Sequence, residues 1–223
     1  MEENDPSYYD NINPDLLGAI PGNAEVVLEV GCGAGRLGYE YKRLNPQCRY
    51  YGIEIVPKAA AIAATRLDMA CCGSAETIDL SFLNGTVDCI VYGDVLEHLV
   101  DPWALLKTHR ALLSPTGKVV TCIPNVQNFS ILLGLLHGRW DYADNGLLDR
   151  THLRFFTLDG VVGMFRKAGF NVDGVVGRIV DEPRATAFVD ALRPALQTLG
   201  VDENAFRQQS SAFQYLLTAS IVA

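Results

Sequence analysis

Glycines and acidic residues near the beginning of the chain have the types and spacing that suit a nucleoside. Residues 27–35 (VLEVGCGAG) read as a buried strand that turns through three alternating glycines into a helix. Glycine lets a backbone turn sharply and approach a ligand without an intervening Cβ. Glu54 lies about twenty residues further on, where a carboxylate can accept hydrogen bonds from both hydroxyls of a ribose. This arrangement predicts a cleft that binds a ribose-containing cofactor.

The glycine pattern is compatible with two different cofactors. Residues 33–38 also spell Gly-x-Gly-x-x-Gly, the dinucleotide fingerprint, and Glu54 suits NAD equally well. Glu29, however, precedes the glycines within a buried strand, where a carboxylate needs a polar partner such as a ligand cation or amine. It would repel a pyrophosphate, whereas S-adenosylmethionine has no phosphate and carries an ammonium and a sulfonium. Glu29 therefore favours S-adenosylmethionine, with a purely structural carboxylate as the alternative.

Three polar residues follow the apolar segment 87–92 (VDCIVY), which predicts a strand buried on both faces. Asp94 comes directly after this strand and should face the cleft, with Glu97 and His98 within one helical turn of it. We expect Asp94 to border the methyl donor or its acceptor. A capping aspartate and a histidine packed against the sheet are the alternative.

The segment 138–157 (GRWDYADNGLLDRTHLRFFT) is rich in charged and aromatic residues. In an extended chain Arg150, His152 and Arg154 share one face, because side chains alternate. The ordinary pKa of histidine, about 6.5, suits proton abstraction near neutral pH, so His152 is a candidate general base. The two arginines could lower the pKa of His152 or bind an acidic acceptor. A rigid loop held by an ion pair between Asp149 and Arg150 is the alternative.

Strands and helices alternate along the chain, which predicts a parallel sheet with helices on both faces. The predicted strands are 24–30, 49–55, 69–72, 87–92, 118–123, 170–176 and 213–222; the predicted helices are 35–44, 57–67, 102–113 and 158–168, with a helical stretch at 194–199. A turn at 114–117 is predicted to close the third helix. Residues 125–157 break the pattern after the fifth strand, above the carboxyl edge of the sheet, where ligands bind in such folds.

In combination these motifs resemble the class I S-adenosylmethionine-dependent methyltransferases. Residues 29–35 look like motif I of that family, and Glu54 matches its ribose-binding acid. Residues 73–76 (GSAE) lie where members place side chains against adenine, although many have an acid where this chain has Ser74. Residues 93–99 (GDVLEHL) resemble ubiquinone-type and glycan-associated methyltransferases. The charged, aromatic segment described above resembles one in bacterial methyltransferases encoded with, or fused to, glycosyltransferases.

The resemblance implies a Rossmann-like, doubly wound α/β fold with a seven-stranded, mostly parallel sheet whose last strand is antiparallel. We expect one methyltransferase domain over 1–223, with 1–20 as an N-terminal lid and 125–157 as the acceptor-site insertion. Tyr8 and Tyr9 resemble lid residues of the family, or else anchor the first helix. The residues implied to contact S-adenosylmethionine, and its product S-adenosylhomocysteine, are Glu29, Gly31, Cys32, Gly33, Gly35, Glu54, Ile55, Ala75, Glu76, Asp94 and Val95. The predicted catalytic residues are His152 and Asp94.

Composition narrows the class of protein. The chain has 223 residues, a net charge of −8 and no basic face, which argues against a nucleic-acid partner. Its six cysteines form no Cys-x-x-Cys pair and no zinc spacing, so we expect reduced thiols, a cytoplasmic protein and no metal. The polar, acidic N-terminus does not resemble a signal peptide. The apolar stretch 131–136 is too short to span a bilayer, so no stable membrane insertion is expected.

We expect transfer of a methyl group to an oxygen or nitrogen of a small-molecule acceptor, such as a sugar, a glycan or a quinone-like compound. One alternative is an NAD(P)-dependent oxidoreductase, although Tyr39, Tyr41 and Tyr51 each lack a lysine four residues on. Another is a non-catalytic S-adenosylmethionine-binding domain. The apolar segment 129–136 permits a lipid-linked acceptor, core packing or a dimer contact. A homodimer, or a place within a longer chain, also stays open.

Overall fold

The computed structural model describes residue 10 and residues 12–222. Within them, seven strands form one sheet: β1 Val26–Val30, β2 Arg49–Glu54, β3 Met69–Cys72, β4 Val87–Gly93, β5 Leu113–Pro124, β6 Phe170–Ile179 and β7 Ala212–Ile221. The α-helices of the same residues are α1 Pro14–Ala19, α2 Arg36–Leu44, α3 Pro57–Ala63, α4 Pro102–His109, α5 Phe129–Leu136, α6 Leu158–Lys167, α7 Glu182–Thr198 and α8 Glu203–Ser211. Tyr8 and Tyr9 of the predicted lid lie outside the described residues.

The strands lie in the order β3-β2-β1-β4-β5-β7-β6. Strand β7 runs antiparallel to both of its neighbours, and the other pairs are parallel. The predicted doubly wound sheet with an antiparallel last strand is confirmed. The chain builds outward from β1 to β3 on one side and from β4 onward on the other. A crevice therefore forms at the carboxyl ends of β1 and β4, where such sheets bind ligands.

Helices cover both faces of the sheet, which is why its central strands are apolar on both sides. Leu28 and Val30 of β1 belong to a core shared with α4 and α6, whereas Val27 belongs to a second core shared with α1, α2 and α3. Successive side chains of a strand alternate between faces, so Glu29 lies on the side of Val27. This places an acid within the second apolar layer.

The predicted turn at 114–117 is wrong, because β5 begins at Leu113 and runs without a break. The register with β4 shifts beside Val87, so the strand absorbs the extra residues as an irregularity. A Cβ on Gly117 would lie 2.8 Å from the carbonyl oxygen of Val87, which explains why glycine stands there. The preceding helix is also shorter than predicted: α4 ends at His109, and a 3₁₀ turn covers Arg110–Leu112.

The predicted helical stretch at 194–199 is only the end of a longer helix. Helix α7 begins at Glu182, where the side chain of Asp181 accepts a hydrogen bond from the backbone of Arg184. Pro194 lies inside it, although proline usually marks a helix start. Helix α8 was not predicted. The two helices are joined by exposed ion pairs among Asp190, Arg193, Glu203 and Arg207.

The segment 125–157 leaves the sheet at the end of β5 and returns to it. Asn125 pairs with Phe156 in an isolated bridge, and α5 lies between them. The buried side chain of Asn125 donates to the carbonyls of Gln209 and Ala212, and that of Asn128 donates to Ala212 as well. These bonds fix the start of the segment to the carboxyl edge of the sheet, and the bridge to Phe156 holds the end of the segment against that start. Over the described part of the chain, no helix has the length and apolarity to cross a membrane.

The third glycine of the 33–38 fingerprint provides a test of helix packing. A Cβ on Gly38 would lie 2.5 Å from both Tyr50 and Leu67, so Gly38→Ala forces α2 away from β2. We expect a loss of about 1–3 kcal/mol in the free energy of unfolding, the usual cost of overpacking. Urea denaturation measures it. Gly163→Ala in α6 is the matched control: open space surrounds Gly163, so it should be neutral or stabilising by up to about 1 kcal/mol. Equal stabilities of the two variants would contradict the packing argument.

Candidate functional site at the carboxyl edge of the sheet

The glycine loop joins β1 to α2 at the centre of the crevice. Gly31, Gly33 and Gly35 have φ angles of +71°, +55° and +74°, the left-handed region that glycine adopts without strain. The backbone N–H groups of Gly31 and Cys32 both donate to the carbonyl of Ile53 in β2, at 2.8 and 3.0 Å. The loop is therefore tied to the neighbouring strand and is already in shape for a ligand.

Glu54 holds the loop from the end of β2. One of its carboxyl oxygens accepts a hydrogen bond from the N–H of Gly33 at 2.8 Å, and the other accepts from Val56 at 2.8 Å. A carboxylate can accept about four hydrogen bonds, so two backbone donors leave acceptor capacity for a ligand. Ile55 follows directly and is 55% exposed, which leaves an apolar surface beside the carboxylate. The structure thus places the predicted ribose contact and an apolar contact side by side.

Glu29 lies beneath the loop and is only 5% exposed. The hydroxyl of Tyr50 donates to its carboxyl group at 3.0 Å, an internal partner that sequence reasoning did not identify. Burial raises the pKa of Glu29 to about 8; the hydrogen bond from Tyr50 opposes this rise, and the charge of Glu54 adds to it. The same burial, with the nearby Glu29, raises the pKa of Cys32, which is therefore a thiol. Glu29 is mainly neutral at pH 7 in the unliganded protein.

Glu76 stabilises the segment that leads into α4. Its two carboxyl oxygens accept hydrogen bonds from the backbone of Asp101 at 2.7 Å and of Val100 at 3.3 Å, which fixes the start of α4. Ala75, next to it, packs against the core. Val95 closes the crevice on the other side, since a Cβ on Gly31 would lie 2.9 Å from its side chain. Of the predicted contacts at 75, 76 and 95, Val95 therefore lies against the glycine loop, whereas Ala75 and Glu76 contact the core and the start of α4.

Asp94 is the only residue other than glycine with a positive φ, 51°, in the part of the chain that is described. Such strain concentrates at functional sites. Its carboxylate accepts a hydrogen bond from the side chain of Gln214 at 2.5 Å. Arg178 in turn donates a hydrogen bond to Gln214 at 2.5 Å and forms an ion pair with Asp15 of α1 at 2.9 Å. Solvent reaches Asp94, but protein surrounds it, as at the floor of a cleft. This partial burial raises the pKa of Asp94, and Arg178 opposes the rise.

Glu97, His98 and His152 come together next to Asp94. Glu97 is 1% exposed, and neither of its carboxyl oxygens has a hydrogen-bond partner among the described residues. Burial raises the pKa of Glu97, and the charge of Asp94 adds to the rise. Nε2 of His152 lies 3.9 Å from Oε1 of Glu97, and the rings of the two histidines are 4.7 Å apart, edge to face. Sequence reasoning expected no metal-ligating cluster, because 97 and 152 are far apart in the chain.

The predicted polar face of Arg150, His152 and Arg154 is wrong. His152 is buried, whereas Arg150 points outward to Asp144 at 2.6 Å and Arg154 turns to the carbonyl of Val100. Residues 150–154 are not extended, because the segment curls back onto the turn at 96–98. Burial, with the neighbouring second histidine, lowers the pKa of His152, so its imidazole is neutral near pH 7.

The alternative of a loop held by an Asp149–Arg150 ion pair also differs from the structure. The carboxylate of Asp149 instead accepts hydrogen bonds from the backbone and hydroxyl of Thr151, at 2.7 and 2.6 Å. The loop is nevertheless rigidly attached: the N–H groups of Leu153 and Arg154 both donate to the carbonyl of Glu97. Sequence reasoning did not select Glu97 as a site residue. The available signal was an acid between Leu96 and Leu99, two residues that are buried in the core.

Comparison with known proteins identifies the family. Residues 2–175 match a family described as "Methyltransferase domain". An uncharacterized 37.1 kDa protein of transposon TN4556 from Streptomyces fradiae is 30% identical over 218 residues, which cover 92% of this chain and 58% of that protein. A ubiquinone biosynthesis O-methyltransferase of Cereibacter sphaeroides is 26% identical over 167 residues, covering 70% of this chain and 64% of that enzyme. The chain spans about three fifths of the length of these relatives.

The fold is shared with solved structures. A crystal structure of an S-adenosylmethionine-dependent methyltransferase from Archaeoglobus fulgidus matches with a TM-score of 0.64 and 15% identity. The match covers 96% of this chain and 94% of that one. At this identity the similarity concerns the fold alone.

The raised pKa of Glu29 makes the stability of the unliganded protein depend on pH. At pH values between 4.5, the ordinary pKa of a glutamate, and about 8, the unfolded chain has released the carboxyl proton of Glu29 and the folded chain keeps it. The free energy of unfolding therefore falls as pH rises. Glu29→Gln removes this pH-dependent loss of stability, because glutamine has no proton to release. At pH 8 the free energy of unfolding of the variant should exceed that of wild type by on the order of 4 kcal/mol, and at pH 5 the difference should be less than about 1 kcal/mol. Urea denaturation from pH 5 to 8 measures the difference. Glu25→Gln, at an exposed position, is the control, and a pH-independent difference for Glu29→Gln would contradict the argument.

Proposed function

This chain belongs to the S-adenosylmethionine-dependent methyltransferase family, and from that premise we propose that it transfers a methyl group from S-adenosylmethionine to an oxygen or nitrogen of a small-molecule acceptor. The observation that carries the proposal is the pair of buried acids at the glycine loop. Glu54 accepts a hydrogen bond from the glycine loop. Glu29 lies beneath the loop and accepts one hydrogen bond, from Tyr50. Both suit a ligand that brings hydroxyls and a positive charge.

The residues of the crevice fit this cofactor. The ribose hydroxyls would donate to the remaining acceptor sites of Glu54, and the adenine ring would lie on the exposed face of Ile55 near Ala75. The ammonium group of the methionine part would supply Glu29 with the cationic partner that its burial requires. The bound cofactor contributes an electrophilic methyl group on a sulfonium, which is a good leaving group. The protein mainly aligns the acceptor with that methyl group.

The geometry argues against the NAD(P)-dependent alternative. A pyrophosphate needs free backbone N–H groups at the glycine loop. Here the N–H groups of Gly31 and Cys32 already donate to Ile53, and that of Gly33 donates to Glu54. A phosphate would displace these bonds and face two carboxyl groups. The loop is therefore better suited to a phosphate-free nucleoside.

We place the acceptor between Asp94 and the segment 125–157, which closes over the carboxyl ends of β4 and β5. An acceptor hydroxyl has to lose its proton during transfer, and His152 is the base that this segment offers. Asp94, on its strained backbone, would orient the acceptor at the border with the methyl donor. The name of the ubiquinone biosynthesis relative supports an oxygen acceptor such as a phenol. A usable base beside the crevice distinguishes this proposal from a non-catalytic binding domain.

Cofactor selectivity tests the first part of the proposal. Isothermal titration calorimetry should show binding of S-adenosylmethionine or S-adenosylhomocysteine and much weaker binding of NADH. Glu54→Ala should cost roughly 1–3 kcal/mol of binding free energy, the scale of hydrogen bonds to a charged group. Glu25→Ala, at the amino end of β1 on the opposite edge of the sheet, should leave affinity unchanged. Tighter binding of NADH than of S-adenosylmethionine would overturn the assignment.

Turnover by variants of His152 tests the second part. Assays over phenols, nucleotide sugars and amines identify an acceptor first. His152→Gln should then lower kcat by roughly 10²–10⁴ for a hydroxyl acceptor while cofactor affinity stays the same. His137→Gln, at an exposed histidine of the same segment, is the matched control. Full turnover by His152→Gln, or a loss that parallels unfolding, would remove His152 from the mechanism.

A further inference from the structure

Glu97 is a buried acid for which the described residues supply no hydrogen-bond donor. Its backbone is fixed, because its carbonyl accepts hydrogen bonds from Leu153 at 2.8 Å and Arg154 at 3.0 Å. Its carboxyl group, 1% exposed, has no hydrogen-bond partner in the part of the chain that is described. A buried polar group without a partner costs about 1–3 kcal/mol, and more when it is charged. The structure thus holds this group in place for a partner that is not a side chain of the described residues.

The two histidines beside Glu97 have their ring orientation set by backbone carbonyls. Nδ1 of His98 lies 3.2 Å from the carbonyl oxygen of Thr151, and Nδ1 of His152 lies 3.3 Å from that of Leu147. A carbonyl oxygen can only accept, and the Thr151 hydroxyl, 3.1 Å from Nδ1 of His98, gives its own hydrogen to Asp149, so in each ring Nδ1 carries the hydrogen. Nε2 is then the nitrogen with the lone pair in both rings. This is the arrangement in which metal-binding histidines are usually held.

The donor atoms converge on one point. One ligating atom each from Glu97, His98 and His152 lies within 4.8 Å of the other two. Nε2 of His152 is 3.9 Å from Oε1 of Glu97, which is too long for a direct hydrogen bond. A metal with bonds of 2.0–2.2 Å holds its ligands about 3–3.5 Å apart. A modest contraction of the three side chains would therefore complete such a site.

We propose that Glu97, His98 and His152 bind a divalent transition-metal ion of the zinc type. Two imidazole nitrogens and one carboxylate are typical ligands for such ions, whereas magnesium and calcium prefer oxygen ligands alone. Three protein ligands leave at least one position of the ion open. Asp149, bonded to Thr151, supports the carbonyl that orients His98 and so forms part of the outer shell.

The metal site deepens the proposed function, on which this step rests. An acceptor hydroxyl that takes the open position would have its pKa lowered by the cation, so it would pass its proton more readily to the neighbouring carboxylate of Asp94. In the metal-loaded protein His152 is a ligand, and it acts as the base only in the metal-free protein. Asp94, adjacent to Glu97, would then face both the coordinated acceptor and the methyl donor.

Metal binding by the purified full chain tests the proposal without any methyl donor or acceptor. The protein is stripped with a chelator and titrated with Zn²⁺ by calorimetry and with Co²⁺ by visible absorption. We expect one equivalent of each ion, with no competition from Mg²⁺. Glu97→Gln and His152→Gln should each weaken Zn²⁺ binding by about tenfold or more, since each removes a ligand. His137→Gln should bind as wild type does.

Free cysteines also bind zinc, and two of the free cysteines, Cys71 and Cys72, are not buried. The double variant Cys71→Ser, Cys72→Ser should keep the site, and the Co²⁺ spectrum should show no thiolate charge-transfer band. Zn²⁺ should raise the Tm of wild type but not of Glu97→Gln, which also checks that the variant folds. Absence of a stoichiometric site, loss of binding with the cysteines, or unchanged affinity in Glu97→Gln would overturn the proposal. Metal binding without methyl transfer would leave the site standing and remove only its place in the reaction.

Discussion

Burial of carboxyl groups at the carboxyl edge of the sheet is the constraint on which the site depends. Water stabilises an ionised carboxylate strongly, so each buried acid needs donors, a proton or a cation. Glu54 has two backbone donors and fixes the glycine loop. Glu29 has one, from Tyr50, and holds a proton to about pH 8. Glu97 has none among the described residues. The three acids thus form a series of increasing need for a positively charged ligand, and the crevice is built to receive one.

The alternation of apolar segments and turn residues was sufficient to predict a sheet with helices on both faces, whereas the seven strands and the antiparallel last strand were implied by the resemblance to the family. Strands buried on both faces have a plain signature, and the glycines at their ends mark the crevice. The errors lie where local signals compete. The helical stretch was predicted only over 194–199, whereas α7 begins at Glu182, is capped by the side chain of Asp181 and contains Pro194 in its interior. Helix α8 is polar and held by ion pairs, so it has no strong apolar period to detect.

Site residues were predictable where the functional side chain lies at the end of a strand. They were not predictable where its position depends on how a loop folds back onto the protein. Glu54 and Asp94 occupy positions that the sheet alone determines. His152 was placed on an open polar face by assuming an extended loop, and the structure buries it instead. That burial results from hydrogen bonds to the carbonyl of Glu97, 55 residues or more away in sequence. No local pattern encodes such a contact, and for the same reason the pairing of Glu97 with two histidines was not foreseen.

Proton release on cofactor binding tests most directly the claim that these buried acids are matched to a cationic ligand. Titration of S-adenosylmethionine at pH 7, in two buffers with different ionisation enthalpies, gives the number of protons exchanged. Glu29 is mainly protonated before binding and must ionise to pair with the ammonium group, so wild type should release about one proton. Glu29→Gln should release none. Binding by wild type without proton release would contradict the account, because Glu29 would then remain neutral beneath a ligand that it does not hold.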